Sequence, residues 1–175
     1  MTTRRQALIA AAAGALYLRA PAARAADPDK VPLEALLAYQ RQVVSAYELA
    51  LRSAPLKPAD GPILTRQRDQ AAEAAEALRK AVVRSGGTPV GQPPPSAELP
   101  PQVAREPGRR GYLAYIIAAE EAAVNGFYVA LQSLTEARVM RGVAAFMAQG
   151  GRRLVVVRNM AGEPLVLRAF ETGVA

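Results

Sequence analysis

Histidine, cysteine and converging carboxylates carry most of the chemistry at protein sites, and this 175-residue chain has no histidine and no cysteine. Ser-His-Asp and Cys-His catalysis are therefore excluded, as is every metal site built on imidazole. No disulfide can form, so stability must come from packing. The sequence also lacks a phosphate-binding glycine loop, a nucleophile elbow, zinc-ligand spacing and any nucleophile–base pair. Tyr47 and Tyr128 read as core aromatics with the hydroxyl near the rim, with a redox or ligand role as the alternative. Arg138, Arg141, Arg152, Arg153 and Arg158 fall in one stretch and read as a solvated helical face. The expectation is a protein that is not an enzyme.

Four helices must position these groups. Leu36, Leu37, Gln40, Val43, Val44, Tyr47 and Leu51 recur at three- and four-residue intervals, which predicts a first helix over about 33–54. Pro55 and Pro58 end it. Asp60-Gly61-Pro62 opens a second helix over 62–86, with Asp60 as cap and Pro62 in the first turn. Gly86-Gly87 stops it. A third helix spans 111–132 through Ile116, Ile117, Val124, Phe127 and Leu131. The fourth, 134–160, opens on Ser133-Leu134-Thr135-Glu136, a capping-box spacing. Both connections within these helix pairs are short, so each pair is an antiparallel hairpin.

Between the hairpins, residues 88–110 carry prolines at 89, 93, 94, 95, 100, 101 and 107. An extended proline-rich segment covers about 3.1 Å per residue, so some 20 residues reach roughly 60 Å. A helix of about 20 residues is only about 30 Å long. The segment can climb the whole bundle and start the third helix parallel to the second. The predicted fold class is therefore all-α: a ferritin-like four-helix bundle, two antiparallel hairpins joined by a long Pro-rich crossover. The hairpins also resemble weak copies of each other at an offset of 81, matching Gln40 with Glu121 and Tyr47 with Tyr128.

The N-terminus reads as a leader. Arg4-Arg5 precedes an uncharged apolar stretch, residues 7–18, and Ala23-Arg24-Ala25 offers the small residues that a signal peptidase reads. About 12 apolar residues are too few to cross a hydrocarbon core, which needs roughly 20. The predicted organisation is a cleaved twin-arginine-type signal over 1–25 and one domain over 26–175, exported to the periplasm, cell envelope or exterior. Four of the 22 Lys and Arg residues lie in the leader, so the remaining chain carries 18 against 15 Asp and Glu, a net +3. Scattered arginines at that balance do not make a nucleic-acid surface. No transmembrane helix is expected once the leader is removed.

The chain resembles exported bacterial ferritin-like proteins, in particular an actinobacterial-type family of unassigned function. The resemblance rests on Gln40-Arg41 seven residues before Tyr47, Glu121 seven before Tyr128, Ala97-Glu98-Leu99-Pro100-Pro101, and Ala169-Phe170-Glu171-Thr172-Gly173. In metal-binding relatives, helices one and three each supply a glutamate, and helices two and four each supply Glu-x-x-His around two irons. Carried over by position, Gln40 stands for the first glutamate and Glu121 is retained. Gly150-Gly151-Arg152-Arg153 stands where an acid and a histidine belong, and helix two offers only Asp69, Glu73 and Glu76. The resemblance thus implies a degenerate di-metal site and no cofactor, in a binding or structural module of the cell envelope.

Within that resemblance, Glu121 reads as a surface acid or as a carboxylate inside the bundle; a buried carboxylate without a metal needs a cation beside it, and Arg153 is then its candidate partner. The alternative is a carboxylate-only site in which Glu48, Glu73, Glu76 and Glu121 hold Fe, Mn or Ca. The Gly150-Gly151 pair costs a helix about 2 kcal/mol against two alanines, so a close approach at that point is expected. The ligand or partner is unknown; a homodimer is one open oligomeric state.

Overall fold

A computed structural model of the chain describes residues 27–91 and 98–164. The Arg4-Arg5 leader, the central prolines 93–95 and the Ala169–Gly173 motif lie outside the described residues. Those described form five helices and no strand: α1 (Lys30–Ser53), α2 (Asp60–Arg84), α3 (Pro101–Arg105), α4 (Arg109–Leu131) and α5 (Ala137–Ala161). None is long and apolar enough to cross a membrane.

The four long helices match the sequence expectation to within three residues at each boundary. In α1 the buried set is Leu33, Leu36, Leu37, Gln40, Val43, Val44, Ala46, Tyr47 and Ala50, one stripe at helical spacing. Both α2 and α5 end on a glycine at positive φ: Gly86 and Gly162, each at 74°. Gly87 N–H then donates to the Val82 carbonyl and Glu163 N–H to the Arg158 carbonyl, closing the same reverse turn twice.

Three local expectations are corrected. Asp60 does not cap α2 from outside; it is the first helical residue, and its carboxylate accepts from the Lys57 amide and from Arg109. The capping box at Ser133 is not made. Ser133 instead closes α4, donating both its amide and its hydroxyl to the Ala130 carbonyl, and α5 starts at Ala137. The two residues leading into α5 are held from the residue just before α1: the Asp29 carboxylate accepts from the amides of Thr135 and Glu136 and from the Thr135 hydroxyl. The short α3 interrupts the stretch expected to be extended. Proline at its first position suits a helical start, and Val103 is buried under it.

Hydrogen bonds between helix ends set the directions. The start of α1 meets the α4–α5 connection through Asp29, and Glu34 accepts from the Thr88 amide just past α2. At the opposite end Arg109, at the start of α4, forks onto Asp60 at the start of α2 and donates to the Met160 carbonyl at the end of α5. Helices α2 and α4 therefore run one way and α1 and α5 the other. Helix α1 packs along α2 and α4, and α4 along α5, whereas α2 and α5 approach each other more sparsely. The α3–α4 turn depends on Gly111, where a Cβ would lie 1.9 Å from the Glu106 carbonyl oxygen.

Candidate functional site

Three fully buried polar side chains meet at mid-bundle. Glu120 of α4 is 0 % exposed, Arg153 of α5 1 % and Tyr47 of α1 0 %. Arg153 forks onto the carboxylate, Nε to Oε1 at 2.6 Å and Nη2 to Oε2 at 3.0 Å. The Tyr47 hydroxyl donates to the same Oε1 at 3.0 Å. Both carboxylate oxygens are thus taken by donors. Gly150 lies beside the fork: a Cβ there would meet Arg153 Nη2 and Glu120 Oε2 at an ordinary 3.6 Å but Val124 of α4 at a tight 3.0 Å. The close approach expected at Gly150 is made by Val124.

The electrostatics follow from burial. Loss of water pushes the Glu120 carboxyl above the ordinary range, while Arg153 and the Tyr47 hydroxyl pull it back. Burial likewise pushes the Tyr47 phenol far up, reinforced by the Glu120 charge. Tyr47 is therefore a hydrogen-bond donor that keeps its proton. A bidentate fork supplies the directional hydrogen bonds that a desolvated pair requires to persist.

Gln40 lies in the same interior. Its amide nitrogen donates to the Ala71 carbonyl at 3.1 Å, and its Oε1 has no hydrogen-bond partner. A shift of 80 residues superposes the buried positions of α1 and α4: Leu36 on Ile116, Leu37 on Ile117, Gln40 on Glu120, Val43 on Ala123 and Tyr47 on Phe127. The offset of 81 read from the sequence is one residue too long. Glu121 consequently stands beside the interior acid, not in its place.

That slip accounts for the main correction at the site. Arg153 pairs with Glu120, not Glu121. Glu121 is 40 % exposed at its side chain and pairs with Arg158. Tyr128 is 59 % exposed and is no core aromatic; Phe127 occupies the position equivalent to Tyr47. Arg138, Arg141 and Arg152 are exposed as expected of a solvated face, but Arg153 and Arg158 are buried. The apolar doublets Leu36-Leu37 and Ile116-Ile117 carried the correct register, and counting from them would have found Glu120.

The proposed carboxylate ligands are not assembled. Glu48 is half-buried on α1, and Glu73 is exposed on α2. Glu76 is exposed and pairs with Arg79 and Lys80, the Arg79 hydrogen bonds holding its pKa down at about 2. Among the described residues no three Asp, Glu, His or Cys side chains converge as a metal site. The one fully buried acid has its oxygens committed to a guanidinium and a phenol, so the donor set does not fit a di-metal centre. No protein-family model, curated protein or solved structure matches the chain.

Proposed function

We propose that this chain is an exported, ferritin-like four-helix bundle whose interior is held by an ion pair in place of a metal centre, serving as a non-catalytic binding or structural module of the cell envelope. The observation that carries the reading is the Arg153 fork on Glu120 at mid-bundle, with Gln40 at the equivalent position on α1. Glu120 occupies the level where such a fold collects its ligands, and the guanidinium supplies the positive charge that a metal would otherwise bring.

The topology supports the ferritin-like assignment. The α2 end and the α4 start lie at opposite ends of the bundle, α2 and α4 run parallel, and each long helix neighbours two antiparallel ones. Two hairpins joined by one long connection produce that arrangement. Export rests on the Arg4-Arg5 leader and its Ala-x-Ala end.

Metal content of protein recovered through its own export route is the test. Iron and manganese well below one equivalent, unchanged in Glu120→Ala and Glu121→Ala, are expected. Near-stoichiometric transition metal that either substitution removes would overturn the reading and favour the carboxylate-bound alternative. For the leader, replacing Arg4 and Arg5 by lysine should leave uncleaved protein inside the cell.

A further inference from the structure

The sparse seam between α2 and α5 opens at mid-length into a cleft of about 550 Å³. Arg66, Gln67, Gln70 and Glu73 line it from α2, and Gln149 and Arg152 from α5. None of these six side chains makes a hydrogen bond or ion pair with a described residue. Gln67 is the telling one. It is only 8 % exposed, yet neither its amide donor nor its acceptor has a partner. Gln40, fully enclosed, spends its nitrogen on Ala71. The body of Gln67 is buried while its amide borders the cleft, where solvent reaches it and a ligand could replace that solvent.

The polar groups are ordered along the seam. Arg66 and Glu73 are seven residues apart on one helix, about 10.5 Å at 1.5 Å per residue. Because α5 runs against α2, Arg152 falls toward the Arg66 end and Gln149 toward the Glu73 end. The cleft thus has a cationic end, an anionic end and amides between. An extended chain of three residues spans roughly 10 Å. Each glutamine offers one donor face and one acceptor face, the complement of a peptide bond. No aromatic ring lines the cleft to stack on a sugar, and Glu73 disfavours a simple anion.

We infer that this cleft binds a short peptide of about three residues with both termini free. Its carboxylate lies on Arg66 and Arg152, its ammonium on Glu73 and its backbone amides on Gln67, Gln70 and Gln149. This deepens the reading of the bundle as a binding module by naming a ligand class. Its test is independent of metal content, so either claim can fail alone.

The full chain is titrated with Ala-Ala-Ala, with its N-acetylated form and with its C-terminal amide, by calorimetry and by amide chemical shifts. Saturable one-to-one binding is expected for the free tripeptide, with blocking of either end weakening it roughly ten-fold or more. In Glu73→Gln acetylation should cease to matter, and in Arg152→Ala amidation should matter much less. Gln67→Leu should bind at least about ten-fold more weakly while its urea midpoint stays level or rises, because no internal hydrogen bond is lost. No binding at millimolar tripeptide, indifference to both end blocks, or a lowered midpoint in Gln67→Leu would each overturn the assignment.

Discussion

The Glu120–Arg153 pair can be weighed by a double-mutant cycle. Arg153→Met keeps most of the side-chain volume and removes the fork, leaving Glu120 with the Tyr47 hydroxyl as its one remaining partner. Both partners are at most 1 % exposed, so water cannot replace the lost donor. Breaking a buried pair from one side costs about 3–5 kcal/mol, and Glu120→Met should cost about the same by stranding the guanidinium. Independent effects would sum to about 6–10 kcal/mol in the double variant, against a total domain stability of about 5–15 kcal/mol. If the penalty is instead stranded charge, Glu120→Met/Arg153→Met strands neither partner and should lie within about 1 kcal/mol of the parent, or above it. Urea unfolding followed by circular dichroism reads all four corners of the cycle. A second readout is pH. Burial already raises the Glu120 pKa, and Arg153→Met removes the main influence opposing that rise. An acid with a raised folded pKa contributes stability at low pH that is lost as pH rises through the folded value. The Arg153→Met penalty should therefore shrink toward acid. Single variants within about 1 kcal/mol of the parent, or a double variant as costly as the sum, would refute the coupling.

Three further outcomes are expected. The Arg109 hydrogen bonds hold the Asp60 carboxyl below its ordinary value of 3.8, so its contribution is present above that value and lost as pH falls through the lowered folded one. Asp60→Asn should cost about 1–3 kcal/mol at neutral pH and flatten the acid limb of a stability–pH profile. For Asp29, burial pushes the carboxyl up but the Thr135 and Glu136 amides more than offset it. Asp29→Ala should cost about 1–2 kcal/mol in urea titration and speed hydrogen exchange at the Thr135 and Glu136 amides. Gly111→Ala places a methyl 1.9 Å from the Glu106 carbonyl oxygen and should destabilise by about 1–3 kcal/mol or more in the same titration, whereas Gly142→Ala, with no atom within 4 Å, should not.

How far the sequence could be read depends on what each element uses to define itself. The long helices are set by apolar periodicity and by proline and glycine punctuation, which are local, and their spans are recovered. Helix capping is not local here. Asp29 serves the start of α5 from 106 residues away, and Ser133, with the right spacing for a capping box, is spent on closing α4. The site failed on a single residue of register. Glu120 and Glu121 are adjacent acids on an alanine-rich helix, and one turn of 100° decides which faces the interior. Tyrosine matched to tyrosine misled; the buried doublets Leu36-Leu37 and Ile116-Ile117 set the phase. The seam cleft was not legible at all, because glutamines and arginines at 66, 67, 70, 149 and 152 look like ordinary surface until two helices are seen to stand apart.

The two polar regions of this bundle differ in access: one is closed inside the helices, the other opens to solvent. At the centre, Glu120 is satisfied on both oxygens by groups from two other helices. With both carboxylate oxygens taken, its energetic role is to hold α1, α4 and α5 in one arrangement, while Arg153 Nη1 and Gln40 Oε1 are enclosed beside it without a hydrogen-bond partner. At the seam, six polar groups remain unmatched, among them one amide more than nine-tenths buried, and the helices that carry them are the least closely packed neighbours. Those groups border an open cleft in which complementary hydrogen bonds can reach them, whereas Glu120 is closed off by its own partners, which is why the seam, and not the ion pair, is where a partner should be sought.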